Sequence, residues 1–465
     1  MIEMNVRVIA EITGGDILQN GASVEISGFS TDSRSLQAGD LFIPLRGDNF
    51  DGHNYLNQAI ERGASACLSE EVVAGLPAPV IKVADTLKAL GDLAAAVRAH
   101  FSGPLVGVTG TSGKTTCKEM LASVLEALGA GHKSAGNFNN MIGVPLTLFG
   151  LKPEHQWSVV EMGMSARGEI SRLAQMASPQ LGIITNVGHG HLESLGGISG
   201  VARAKGELFI NLPREGVALV NIDDHEVKQL PVANGVRRVT FGGALEADIR
   251  AERIGAENGL AVFTLVLAGK GYPVRLPMPG RHNVSNALAA AAAAFELGVA
   301  PEAIVAGLES FRPIPGRMEL VQLGDDIVIL EDSYNANPLS VRAALDAVHD
   351  FRPSGRHIAV LGDMLELGAA AAELHQDIGA MAATRVDWLL TLGQHAGETA
   401  RGALDAGMPQ ERVIVSADHE QLSTLLKDLV QAGDQLLIKG SRGMRMEQIT
   451  ASLRASHGDV TTVRA

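Results

Sequence analysis

The chain has 465 residues, 46% of them hydrophobic and 19% charged, with a formal net charge of −14. That length exceeds one hydrophobic core, so roughly two to four domains are expected, and the hydrophobic share excludes global disorder. The acidic balance argues against a general nucleic-acid binder, and two cysteines, Cys67 and Cys117, give no disulfide framework and fit a reducing compartment.

The start, "MIEMNVRVIA", lacks the basic head and long apolar core of a signal peptide, and no apolar run reaches membrane-spanning length, so a cytoplasmic protein is expected. Residues 1–102 mix short strands with loops and end in a helical pattern, "TLKALGDLAAAVRAHF". Within them, residues 30–55 place Ser33, Arg34, Arg46 and His53 among glycines. That stretch suits an anionic ligand and suits a plain polar loop region equally well.

"SGP" at 102–104 breaks the chain before "PLVGVTGTSGKTTCKEML". Here an apolar strand meets glycines, then Lys114, Thr115 and Thr116, then a helical pattern. Backbone N–H groups in such a turn point at phosphate oxygens, and the helix N-terminus adds positive potential. Lys114 would reach the terminal phosphates and the Thr115 hydroxyl a Mg²⁺ ion. Gly107, Gly110 and Gly113 recur every third residue, so the spacing departs from the standard phosphate loop. An ordinary glycine turn is the bland alternative, but G-K-T-T directly after a strand favours nucleotide binding.

Residues 103–312 then alternate β-rich runs ("WSVVEMG", "LGIITNV", "VALVNID") with helical stretches, which predicts a parallel sheet. Glu161 ends the second run, where a carboxylate could join Thr115 on a metal. "TNVGHGHLESLGG" offers Asn186, His189 and His191, and "ARAKGELF" offers Lys205, which on its own reads as a solvated lysine. Around Asn258-Gly259 the pattern predicts antiparallel strands appended to the sheet. "GRHNVSNALAA" sets Asn283 and Asn286 three apart at a helix start, on one face; they could address a base edge or simply cap. The alanine-rich run at 287–300 predicts a helix packed closely against a neighbour.

"FRPIPGRME" at 311–319 reads as a hinge carrying Arg317. Beyond it, in residues 313–465, "DIVILED", "HIAVLGDM", "DWLLTLG", "RVIVSA" and "QLLIKGS" predict a second open α/β domain. Asp332 and Tyr334 to Pro338 follow its first strand. An arginine could pair with phosphate and an aspartate with ribose hydroxyls, which would put ATP between domains.

In order and separation, "GVTGTSGKTT", "EMG", "TNVGHGHLE", "AKGELF" and "GRHNVSNALAA" resemble the Mur ligase family over essentially the whole chain. These are ATP-dependent enzymes that build the peptide of bacterial cell-wall precursors. The resemblance implies three α/β domains: a small N-terminal substrate domain (1–102), a central phosphate-loop ATPase-like parallel-sheet domain (103–312) and a Rossmann-like C-terminal domain (313–465). "TDSRSLQAGDLFIPLRG", "NFNNMIGVPLTL", "DSYNANP", "LGDMLELG" and "KGSRGMRME" are most similar to the branch that joins D-alanyl-D-alanine to a UDP-N-acetylmuramoyl-tripeptide. The diaminopimelate-adding branch carries Asn-Pro-Arg, whereas Leu339 follows Pro338 here. Relatives often read "DHLD" where this chain has "GHLE".

Carried over, the resemblance implies ATP contacts at Gly110, Thr111, Ser112, Gly113, Lys114, Thr115, Thr116, Asn283, Asn286, Arg317 and Asp332. It implies metal ligands at Thr115, Glu161, His191 and, if carbamylated, Lys205, with Lys114, Lys205 and His191 acting in catalysis. Ser33, Arg34, His53, Asn137 and Asn140 would meet the UDP-sugar substrate, and Asn335, Asn337 and Arg442 the dipeptide. ATP and Mg²⁺ are the expected small partners, a monomer the expected state. A folylpolyglutamate-type ligase, a nucleotide-switched binding module and a plain phosphate-loop kinase are the rivals.

Overall fold

The structure, a computed structural model, describes residues 4–18, 21–47, 49–73, 75–190, 195–351 and 355–458. Three parallel-rich sheets follow one another along the chain, so the fold is α/β.

In the first sheet the strands Asp16–Ile17, Val80–Lys82, Ala66–Ser69, Asp40–Phe42 and Gly28–Ser30 lie side by side, and only the first pair is antiparallel. Asp85 caps the helix Thr86–Ala99 by accepting from Lys88 N. Near the helix end, buried Arg98 donates to the carbonyls of Ala177, Phe101 and Ser178 at 2.8–3.2 Å. With no carboxylate among these acceptors, the guanidinium is held by helix-end carbonyl dipoles and clamps the first sheet's unit to the second.

The second sheet has nine strands, in the order His132–Lys133, Ser158–Glu161, Leu105–Thr109, Leu181–Ile184, Val217–Asn221, Arg237–Gly242, Ile249–Glu257, Leu260–Leu267 and Lys270–Arg275. Strand Leu105–Thr109 is buried along its whole length, as a central parallel strand covered on both faces must be. Its next two partners in sequence lie on one side and the later ones on the other. A crevice therefore opens at its C-terminal end, where the connections diverge. The last two strands are antiparallel additions, and the turn at Asn258 (φ 51°) and Gly259 (φ 81°) is left-handed at both residues, as the Asn-Gly pair predicts.

Helix Arg281–Glu296 buries every residue from Ala287 to Ala294 between the sheet and helix Lys114–Leu125. Alanine there is a spacing choice: small side chains bring the helix that follows the glycine loop close to a rigid neighbour.

The third sheet runs Glu319–Gln322, Val328–Asp332, Gln435–Lys439, His357–Gly362, Trp388–Leu392, Val413–Ser416. Its five predicted strands are parallel. The antiparallel edge strand Glu319–Gln322, directly after the hinge, was not foreseen, because its Met-Glu-Leu-Val-Gln stretch carries no strong β signal.

Candidate functional site

Gly110 to Thr116 close the crevice of the second sheet. Gly113 (φ 80°) is the left-handed residue that starts helix Lys114–Leu125. The loop is pinned from the neighbouring strand end: Thr111 N donates to Asn186 O, Ser112 N to Asn186 Oδ1 at 2.9 Å, and Thr185 Oγ1 to Ser112 O at 2.6 Å. Thr115 and Thr116 are buried in the first helical turn. Lys114 keeps part of its surface open, and its ammonium folds back onto Gly110 O at 2.8 Å. Desolvation lowers its pKa, opposed by Glu161 and reinforced by the charge of Arg317. The three groups therefore sense one another across the crevice.

Glu161 ends its strand beside Val108. It is 2% exposed; its Oε1 accepts from Asn139 Nδ2 at 2.8 Å, while its Oε2 has no hydrogen-bond partner. A buried, half-satisfied carboxylate at this strand end and the buried Thr115 hydroxyl in the helix's first turn are both oxygen donors, which fits Mg²⁺ held by few protein ligands and completed by phosphate. Among the described residues no cluster of three or more His, Cys, Asp or Glu could hold a metal by itself. Behind Glu161 lies Lys118, fully buried, donating to Ser134 O at 2.7 Å and standing 3.1 Å from Glu119 Oε1 and 3.9 Å from Glu161 Oε2.

Lys205 corrects its solvated-lysine reading. It is 3% exposed, with no hydrogen-bond or ion-pair partner among the described residues. Burial first, and then the charge of Lys114, push its pKa well below the lysine range. His189 is half-buried. His191 lies outside the described residues.

Asn283 and Asn286 are buried and bonded to each other (Asn286 Nδ2 to Asn283 Oδ1, 3.1 Å), and Asn283 Nδ2 donates to Pro279 O. One N–H of each amide is thus used inside the protein, and the Asn286 amide lies against Gly113 of the glycine loop, so both side chains stand at the crevice where the nucleotide contacts were expected.

The third sheet reaches this crevice. Asn337 caps helix Pro338–Phe351 by accepting from Ser340 N at 2.9 Å, and its Nδ2 donates to Ser112 Oγ at 3.1 Å. Asn337, expected at the dipeptide, is thereby tied to the glycine loop. Leu339 packs over Gly188. Asp332 ends its strand opposite Lys439, whose buried ammonium bonds Asp332 Oδ2 at 2.6 Å and Asn335 O at 2.8 Å. The Arg317 guanidinium stacks 4.0 Å over the Tyr334 ring, and exposed Arg442 stands 5.7 Å from the same ring.

In the first sheet's unit, exposed Arg34 forks onto Asp32, whose pKa that hydrogen bond lowers to about 2. Ser33 is buried, with its hydroxyl on Gln58 Oε1. His53 is corrected: Nδ1 meets Asp51 Oδ1 at 2.7 Å and Nε2 accepts from Glu70 N, so neither ring nitrogen is left for a ligand. Asn137 is exposed, and Asn140 Oδ1 accepts from Ile142 N and Gly143 N, as a cap does.

Sequence reading missed Thr185, Lys118 and Lys439, and reached Asn139 only as part of the run from Asn137 to Asn140. Only Lys439, in "IKGS" at a strand end, carried a usable signal.

A glycine loop at a switch point, Lys114 and Arg317 facing Glu161 across the crevice, and a second α/β sheet bonded to that loop define a nucleotide-phosphate enzyme that works between domains. The chain belongs to the Mur ligase family. It matches the family models described as Mur ligase family, catalytic domain, over residues 25–98; Mur ligase middle domain over 108–294; and Mur ligase, glutamate ligase domain, over 316–442. It is 38% identical to a "UDP-N-acetylmuramoyl-tripeptide--D-alanyl-D-alanine ligase" of Escherichia coli K12, covering 98% of this chain and 99% of that one. A crystal structure of MurF from Acinetobacter baumannii superposes with TM-score 0.90 at 33% identity, covering 98% and 99% of the two chains. MurF ligase from Thermotoga maritima in complex with ADP superposes with TM-score 0.84 at 27% identity, covering 92% and 97%. No helix of the described residues is long and apolar enough to cross a membrane.

Proposed function

We propose that this chain joins D-alanyl-D-alanine to a UDP-N-acetylmuramoyl-tripeptide at the expense of ATP, in the cytoplasmic synthesis of peptidoglycan precursors. The observation that carries the reading is the bond between Asn337 and Ser112, which seats the third sheet's strand ends on the glycine loop, where a transferred phosphoryl group would lie. Near-complete alignment with a relative of that name supports the substrates.

A carboxylate oxygen at the tripeptide's end attacks the γ-phosphorus of ATP, the bond to the bridging oxygen breaks, and ADP leaves an acyl phosphate. The dipeptide's amine nitrogen then attacks the acyl carbon. The tetrahedral intermediate expels phosphate with the C–O bond pair, and the nitrogen gives up a proton. Loop N–H groups and Lys114 receive the charge that grows on the phosphoryl oxygens. Lys114 must first leave the Gly110 carbonyl, which the incoming anion favours. Glu161, through the oxygen that accepts no hydrogen bond, and Thr115 would hold Mg²⁺, which supplies electrophilic polarisation of the phosphates. An amine reacts with CO₂ in its neutral form, the form that burial of Lys205 favours, and a carbamate there would add a carboxylate-like ligand. Arg317 reaches the nucleotide and Asp332 the ribose, and Arg442 with Asn335 receives the dipeptide. The units 1–102, 103–312 and 313–465 bind UDP-sugar, ATP and dipeptide respectively, with exposed Arg34 the candidate cation in the first. The protein works as a monomer.

An ADP-release assay with each substrate omitted in turn tests the reading. ADP should appear at the full rate only with all three substrates present, and equal rates with L-alanine in place of the dipeptide would refute it.

A further inference from the structure

We infer that Tyr334 is a positioning residue whose ring holds Arg317 and Arg442 together as one anion-receiving pair at the domain junction. The inference rests on the assignment of Arg317 to the nucleotide and Arg442 to the dipeptide.

Both guanidiniums lie over the same ring, at 4.0 and 5.7 Å from its centroid. The Arg317 side chain has no hydrogen-bond or ion-pair partner among the described residues, and Arg442 has only a 3.7 Å approach to Glu447 from a side chain 66% exposed. A carboxylate partner would occupy the donor fork. An aromatic face attracts the cation through the ring quadrupole and leaves the N–H groups, which point outward in the guanidinium plane, open to an incoming oxyanion. Two like charges beside one ring also repel each other, and an anion between them relieves that repulsion. The transferring phosphoryl group and the dipeptide's carboxylate are oxyanions of this kind.

The ring itself is fixed by backbone. Tyr334 N donates to Gly316 O at 3.0 Å, one residue before Arg317. Gly316 takes φ 70°, and a Cβ there would lie 3.4 Å from Tyr334 N and 3.3 Å from Ser333 Oγ. The hinge segment is thus latched to the loop that bears the ring. The Tyr334 hydroxyl makes no hydrogen bond among the described residues, so the ring, not the phenol, carries the role.

The test compares Tyr334→Leu, Tyr334→Met and Tyr334→Phe with Arg317→Ala and Arg442→Ala in the full-length enzyme. It measures KM for ATP, KM for the dipeptide, kcat, affinity for a non-hydrolysable ATP analogue, and thermal midpoint. Leu and Met should raise both KM values by about two- to thirtyfold, more than they lower kcat, while Phe restores both to within about twofold. Combined with Arg317→Ala, Leu should add little to the ATP effect, and with Arg442→Ala little to the dipeptide effect. Unmoved KM values in Leu and Met, whether or not the thermal midpoint falls, overturn the inference, as does Phe behaving like Leu. If the arginine variants raise KM and the Leu and Met variants do not, the positioning role alone fails. If the arginine variants leave both KM values unmoved, the assignment beneath it fails as well.

Discussion

Gly113→Ala should disable the nucleotide loop while leaving most of the fold intact. Gly113 sits at φ 80°, ψ −5°, where an L-residue costs about 1–2 kcal/mol. The added methyl would also overlap the Asn286 amide, whose Cγ and Nδ2 stand 3.0 and 3.1 Å from the ideal Cβ. Moving that amide breaks its bond to Asn283 Oδ1, a loss of about 1 kcal/mol net and more if a buried group is stranded. Together these oppose the observed loop by roughly 2–4 kcal/mol, or about thirty- to eight-hundredfold in its population. Calorimetric titration with a non-hydrolysable ATP analogue should show a loss of that order. Urea unfolding should shift less, because the loop can relax locally. Asn286→Ala removes the overlap but not the left-handed strain, so the double variant should recover about tenfold beyond the sum of the single effects. Binding by Gly113→Ala within threefold of the native affinity would refute both the loop assignment and the packing argument.

Lys118→Met leaves the buried Glu161 carboxylate without its neighbouring ammonium, while Glu119 keeps Lys133, and should lower unfolding free energy by about 3–5 kcal/mol in urea titrations; a change under about 1 kcal/mol would contradict the ion-pair reading. Glu161→Gln keeps the Asn139 contact but removes the anionic ligand. The Mg²⁺ concentration for half-maximal ADP release should therefore rise at least about tenfold, and an unchanged Mg²⁺ curve would dismiss the metal role. His282 is pushed down to about 4, chiefly by burial. Because the unfolded chain takes up that proton near pH 6.5, stability is full above this value and falls as pH drops toward 4, by at most about 3 kcal/mol. His282→Asn should flatten that slope in pH-dependent unfolding, and an identical slope would remove His282 as its source. Asn337→Ala loses a helix cap and the Ser112 contact at once; it should cost about 1 kcal/mol of stability and raise KM for ATP more than any stability loss explains, whereas a thermal shift alone would confine it to capping.

Much of this architecture was readable along the chain. The strand–glycine–helix order at 105–116, the Asn258-Gly259 turn and the β/α alternation beyond 313 are local patterns, and local sterics and periodicity enforce them. The residues of the crevice were harder. Glu161 was found because strand-end acids are a recognisable signal, but Asn139, which holds it, was not singled out within the stretch "NFNN". Lys118 was invisible, since a lysine one turn into a helix reads as solvated until the strand Ser158–Glu161 is seen beside it. His53 and Asn337 carried ligand-like signals and turned out to be bound within the protein.

Sequence alone determined that a glycine turn joins a strand to a helix at 105–116, that alanines line the helix beside it, and that two α/β units flank a proline-rich joint, because each follows from neighbours a few residues apart. Only the tertiary structure decided which side chains face that turn. Lys205 lost its solvent, Asn286 came under Gly113, and Asn337 met Ser112 across 225 positions of chain. Burial and charge proximity are properties of packing, and packing between distant segments is not written in any local stretch.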